Sequence, residues 1–125
     1  MSLYAGVYVQ SRLGKSELLR LILEKLGGQY DKNSMTTFQM DIYLDKNEQY
    51  NQEKSKRFPD GFLYFHYLLD VDHSDVGEDR IYIDQLSQVL EFLWSIDTPA
   101  VAACDFEGQL IKNGGYRNLL LLWPQ

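Results

Sequence analysis

The chain has a single cysteine, Cys104. One thiol cannot close an internal disulfide, so nothing calls for an oxidising compartment. No apolar run approaches the ~20 residues that a membrane-spanning helix needs; the longest is Leu119 to Trp123. The start, Met1-Ser2-Leu3-Tyr4, has no basic stretch followed by an apolar one, so it lacks the form of a signal peptide. These absences predict a cytoplasmic protein without membrane contact. There is no low-complexity tract and no internal repeat, which sets aside solenoids and flexible arrays. Positive charge is scarce as well. Twelve lysines and arginines face 18 aspartates and glutamates, a formal net charge of −6. That average repels phosphate backbones and anionic membranes and attracts basic partners.

What is present suffices for one core. Hydrophobic residues make up 45% of the 125 residues, the normal content of one globular domain without metal or disulfide staples. We therefore expect residues 1–125 to form a single α+β domain. Leu3 to Val9 alternates, with Leu3, Ala5, Val7 and Val9 on one face, and reads as a strand. Leu18, Leu19, Ile22, Leu23 and Leu26 form a helical stripe that Gly27-Gly28 ends. Met35 to Leu44 alternates again, with Phe38, Met40, Ile42 and Leu44 inward. The stretch 45–60 is polar and charged and reads as a long connection, mobile at its tip. Phe62 to Val71 is almost wholly apolar or aromatic, as a strand buried on both faces would be. Ile83, Leu86, Val89, Leu90 and Leu93 predict a second helix ending near Ser95, and Ala100 to Phe106 a fourth strand. Leu119 to Trp123 is a candidate for a fifth, short strand. The order β-α-β-β-α-β predicts a two-layer, split βαβ (ferredoxin-like) sandwich with a C-terminal extension. That architecture hosts many functions and names none.

Four motifs invite a chemical reading. Gly14-Lys15-Ser16 lies between a strand and a helix, where a phosphate-binding loop would end. Such a loop needs a glycine five residues earlier to let amides wrap the phosphates, and Val9 stands there. The acidic loop holds Asp70, Asp72, His73, Asp75, Glu78 and Asp79, oxygen ligands of the kind Ca²⁺ and Mg²⁺ prefer. An EF-hand counted from Asp70 requires Gly where Asp75 stands and Glu where Ile81 stands, so the loop reads as a solvated turn. Cys104 would need a histidine to act as a nucleophile, and only His66 and His73 exist. Asp105 and Glu107 share a face of the predicted fourth strand, ~7 Å apart, a spacing that suits solvation or a basic partner. The sequence thus points to no catalytic residue, metal or cofactor.

The aromatic segment Asp60-Gly61-Phe62-Leu63-Tyr64-Phe65-His66-Tyr67 resembles the third-strand octamer of RNA-recognition-motif domains at Gly61, Phe62, Tyr64 and Tyr67. Val7-Tyr8-Val9 loosely resembles the aromatic element of their first strand. The resemblance implies base stacking on Tyr8, Phe62, Tyr64 and Tyr67. It departs from the family at Asp60, which stands where a phosphate-pairing Lys or Arg belongs, and at the bulky Leu63 and Phe65.

Nine tyrosines are many for this length. Tyr4, Tyr8, Tyr43 and Tyr64 are expected on the sheet face that the helices leave open, where tyrosine offers large contact area at low entropy cost. That face would be covered by a partner, by Leu119 to Trp123, or by a second copy in a homodimer. The leading expectation is a non-enzymatic protein-binding module, of the immunity or inhibitor kind, engaging a basic protein. Tyr4, Tyr8, Tyr43 and Tyr64 would anchor the partner, and Asp72, Asp75, Asp105 and Glu107 would steer it. The alternatives are single-stranded nucleic-acid binding through the aromatic face, and a small enzyme beside the acidic loop.

Overall fold

A computed structural model describes residues 3–31, 34–37, 39–74 and 78–124. Along the chain run β1 (Tyr4–Val9), α1 (Lys15–Leu26), β2 (Gln29–Asp31), β3 (Ser34–Thr36), β4 (Met40–Lys46), α2 (Gln52–Ser55), β5 (Tyr67–His73), α3 (Asp79–Ser95) and β6 (Ala100–Ala103). The six strands form one sheet in the order β2-β3-β4-β5-β1-β6, and every pairing in it is antiparallel. The β1-α1-β4-β5-α3-β6 frame is the ferredoxin-like sandwich that the hydrophobic periods predict.

The main core lies between the sheet and the two long helices. Ala5, Val7 and Val9 of β1, Met40, Ile42 and Leu44 of β4, and Leu69 and Val71 of β5 are buried there. Leu18, Leu19 and Ile22 of α1 and Leu86, Leu90 and Leu93 of α3 close on them. The α3 stripe therefore buries the residues that the 3.6-residue period selects, and the α1 stripe buries Leu18, Leu19 and Ile22 while Leu23 and Leu26 stay partly exposed at its edge. Gly27, with φ +75°, caps α1 by donating its N–H to the Leu23 carbonyl at 2.7 Å.

Four predicted strands differ from the fold. Met35 to Leu44 is broken into β3 and β4, because the Thr37 hydroxyl accepts from the amides of Gln39 and Met40, each at 3.2 Å, and reverses the chain. Phe38 lies outside the described residues. Phe62 to Val71 divides as well: Asp60–Tyr64 is a 3-10 turn, and the strand begins only at Tyr67. Nothing in the apolar content of Phe62–Phe65 separates a buried turn from a buried strand. The fourth strand stops at Ala103, and Glu107–Gln109 turns back as a 3-10 segment. Leu119 to Trp123 forms a turn and a bend but joins no sheet; β2 and β3 are the strands added to the frame.

The connection over 45–60 continues β4 and then folds on itself. Buried Asn47 donates from its amide nitrogen to the carbonyls of Leu63 and Phe65, both at 2.9 Å. Asn51 caps α2 by accepting from the Lys54 amide. Gly61 passes so close to α2 that a Cβ would stand 2.6 Å from the Lys54 carbonyl oxygen. This packing sets Phe62 and Phe65 against the sheet face opposite the helices, where Val101, Tyr8, Tyr116 and Trp123 join them in a second, smaller core.

Candidate functional site

The second core divides the face of the sheet turned away from the helices. Around β6 and the end of β1, Tyr8 meets Phe62 edge to face with centroids 5.3 Å apart. Phe62 meets Tyr116 at 5.7 Å, and Trp123 lies 5.2 Å from Phe65. The Tyr116 hydroxyl donates to Asp60 at 2.7 Å. This half is covered by the chain itself.

The other half is open, and strand register defines its side chains. Residues directly opposite one another across a ladder share a face. One row runs Asp41, Asp72 and Tyr4; the next runs Asp31, Ser34, Tyr43, Asp70 and Gly6; Asp45 lies beside Leu68 in the row that enters the covered half. The face therefore presents five aspartates, Asp31, Asp41, Asp45, Asp70 and Asp72, with two tyrosines among them. Tyr4 is 47% and Tyr43 54% exposed, unusual for side chains at the middle of a sheet. None of the outward strand positions in the described residues is Lys or Arg. Lys15, from the start of α1, reaches Asp45 at 3.4 Å. Among the described residues no basic side chain pairs with Asp41, Asp70 or Asp72.

Burial, together with the negative charge around it, perturbs the phenol of Tyr4. Partial burial, a hydrogen bond donated to the Asp70 carboxylate, and the charge of that carboxylate push the Tyr4 hydroxyl up to about 12; Tyr8 and Asp72 add to the effect. Tyr4 lies across Gly6, where a Cβ would stand 3.6 Å from the Tyr4 hydroxyl oxygen. An added methyl there would meet the phenol at ordinary contact distance.

The residues expected at a binding face are thus partly gathered and partly dispersed. Tyr4, Tyr43 and Asp72 share the open half. Tyr8 is on the same face but under Phe62. Tyr64 is on the 3-10 turn, with the Lys54 ammonium 5.1 Å from its ring centroid. Asp75 lies outside the described residues. Asp105 and Glu107 are off the strand: Asp105 is exposed in a turn, and Glu107 accepts from the Cys104 amide at 3.3 Å. The prediction misses Asp31, Asp41, Asp45 and Asp70, although the alternation of Asp41, Tyr43 and Asp45 in the sequence carries the signal for that strand.

The chemical candidates disperse too. His66 and Cys104 lie at opposite ends of the sheet, since Tyr67 pairs with Val9 whereas Cys104 follows Ala103, the partner of Gly6. His66 Nδ1 is 3.0 Å from the Ser11 carbonyl. Burial pushes the Cys104 thiol up; a hydrogen bond with the Phe106 backbone opposes this, and the charges of Glu107 and Asp105 add to it. His73 sets Nε2 2.9 Å from an Asp79 carboxylate oxygen and lies against Tyr82. Among the described residues no three His, Cys, Asp or Glu side chains converge as a metal-binding group. Gly14 precedes α1 with extended backbone, and the aromatic octamer falls mostly on the 3-10 turn, reaching β5 only at Tyr67. Among the described residues no helix is long and apolar enough to cross a membrane. Compared with known proteins, the chain matches no family model, no curated relative and no solved structure.

Proposed function

We propose that the chain is a non-enzymatic protein-binding module whose open, acidic sheet face engages a basic protein surface, in the manner of an immunity or inhibitor protein. The carrying observation is the five aspartates around exposed Tyr4 and Tyr43, with no basic residue at any outward position of the described strands. Charge of one sign across one face steers an oppositely charged partner and raises its encounter rate. Tyr4 and Tyr43 supply the apolar anchors that charge alone lacks. The preformed sheet would lose little entropy on docking, because its backbone is already ordered.

The test is capture from lysate on three immobilised proteins, followed by mass spectrometry with and without nuclease. The proteins are the wild type, the double variant Asp41→Lys/Asp72→Lys, and Glu24→Lys/Glu91→Lys, which changes the net charge equally on exposed helix positions. A basic protein held by the wild type and the helix variant, lost from the sheet variant and indifferent to nuclease, supports the reading. Equal retention by all three, or binding that nuclease abolishes, overturns it.

A further inference from the structure

The two edges of the sheet are treated differently. At β6 the Trp94 indole donates to the Ala100 carbonyl at 3.0 Å. Gly114 and Gly115 press on the same strand: a Cβ on either would stand 3.1 Å from the Ala102 oxygen or 3.0 Å from the Ala100 oxygen. That edge is occupied. At the opposite edge Gln29, Tyr30 and Asp31 are all exposed, and among the described residues β2 pairs with β3 alone. An edge of this kind presents unpaired backbone donors and acceptors to any extended chain that meets it.

Beside this edge, on the helix side, lies a groove of about 400 Å³ lined by Ser16, Glu17, Arg20 and Leu23 of α1 and by Tyr30. Tyr30 faces that side because it pairs with buried Met35. Gln29 and Asp31 pair with Thr36 and Ser34 and so face the acidic side. Edge and groove together set a pattern for an incoming strand. Its residue opposite Tyr30 enters the groove beside Leu23, and its residues opposite Gln29 and Asp31 extend the acidic face.

We propose that the free edge of β2 takes an extended segment of the partner protein as a seventh strand, apolar toward the groove and basic toward the aspartates. This rests on the acidic-face reading and adds where, and in what conformation, the partner docks. Charge selects the occupant. Antiparallel pairing of two copies through β2 would place both sets of five aspartates on one continuous face, where they repel. A basic segment meets the same face with opposite charge.

The experiment titrates the ¹⁵N-labelled full chain with a blocked peptide of alternating lysine and valine. The comparators are the same residues in block order and the alternating peptide N-methylated along one edge. The expected result is amide shifts across Gln29, Tyr30 and Asp31, slowed exchange at the amides there that point away from β3, and about tenfold weaker binding once one edge is methylated. Shifts at Asp41 and Asp72 without those at residues 29–31 overturn edge docking and leave the acidic-face reading standing. Equal binding of the methylated or block peptide does the same. No binding by the alternating peptide overturns both. Concentration-dependent broadening at residues 29–31 in the protein alone assigns the edge to a second copy and overturns the proposal.

Discussion

Tyr4 shows how a residue's neighbours set its chemistry. Its hydroxyl donates to Asp70 and ionises only at about 12, so the folded state holds its proton more tightly than the unfolded chain, whose tyrosines ionise near 10. The resulting stabilisation is fully present below pH 10 and is lost as pH rises through about 12. Asp70→Asn should bring the Tyr4 ionisation part of the way back, because burial, the largest cause, remains. A phenolate absorbance titration of the two proteins checks this; identical curves would dissociate Tyr4 from Asp70. That Tyr4 faces away from the helices is legible in the alternation of β1. That it meets Asp70 is not, because the two are 66 residues apart in the chain.

At the scale of elements, two connections close the fold in ways periodicity cannot reveal. The turn around Lys112 to Gly115 holds four successive positive φ angles, 51°, 54°, 72° and 91°. It lies flat against β6, and a Cβ on Gly115 would stand 2.9 Å from the Trp94 ring. Gly115→Ala should therefore destabilise by about 2 kcal/mol in a thermal or urea melt. Gly108→Ala, where nothing lies within 4 Å and no positive φ is required, should stay within about 0.5 kcal/mol of the parent. The second connection carries Phe62 and Phe65 onto the sheet face opposite the helices, where they cover half of it. Phe65 is fully buried beside Trp123, and Phe65→Ala should cost about 3–5 kcal/mol and shift the tryptophan emission to the red. An unchanged emission would place Trp123 outside this core. The sequence marks both segments as apolar or glycine-rich, but an apolar run of four to eight residues reads equally as strand or buried turn.

For the molecule as a whole, the distribution of charge matters more than its sum. A net charge of −6 spread evenly would steer little; five aspartates on one half-face create a directed field. Association with a basic partner should slow about tenfold or more as salt rises toward physiological strength, where exposed charges more than ~8 Å apart are largely screened. Asp41→Lys/Asp72→Lys should both slow association and flatten that dependence in stopped-flow measurements, while Glu24→Lys/Glu91→Lys should preserve most of it. The sequence by itself determined the α+β class, both long helices, the inward face of β1 and β4, and the acidic balance. These follow from local periods of 2 and 3.6 and from composition, which need no knowledge of distant contacts. Tertiary structure alone decided which half of the sheet stays open. The contacts of Phe62 and Phe65 with Tyr8, Tyr116 and Trp123, and the strand order that sets Asp31, Asp41, Asp70 and Asp72 side by side, join residues far apart in the chain. Such proximity is created by the packing of the whole chain and has no local period to announce it.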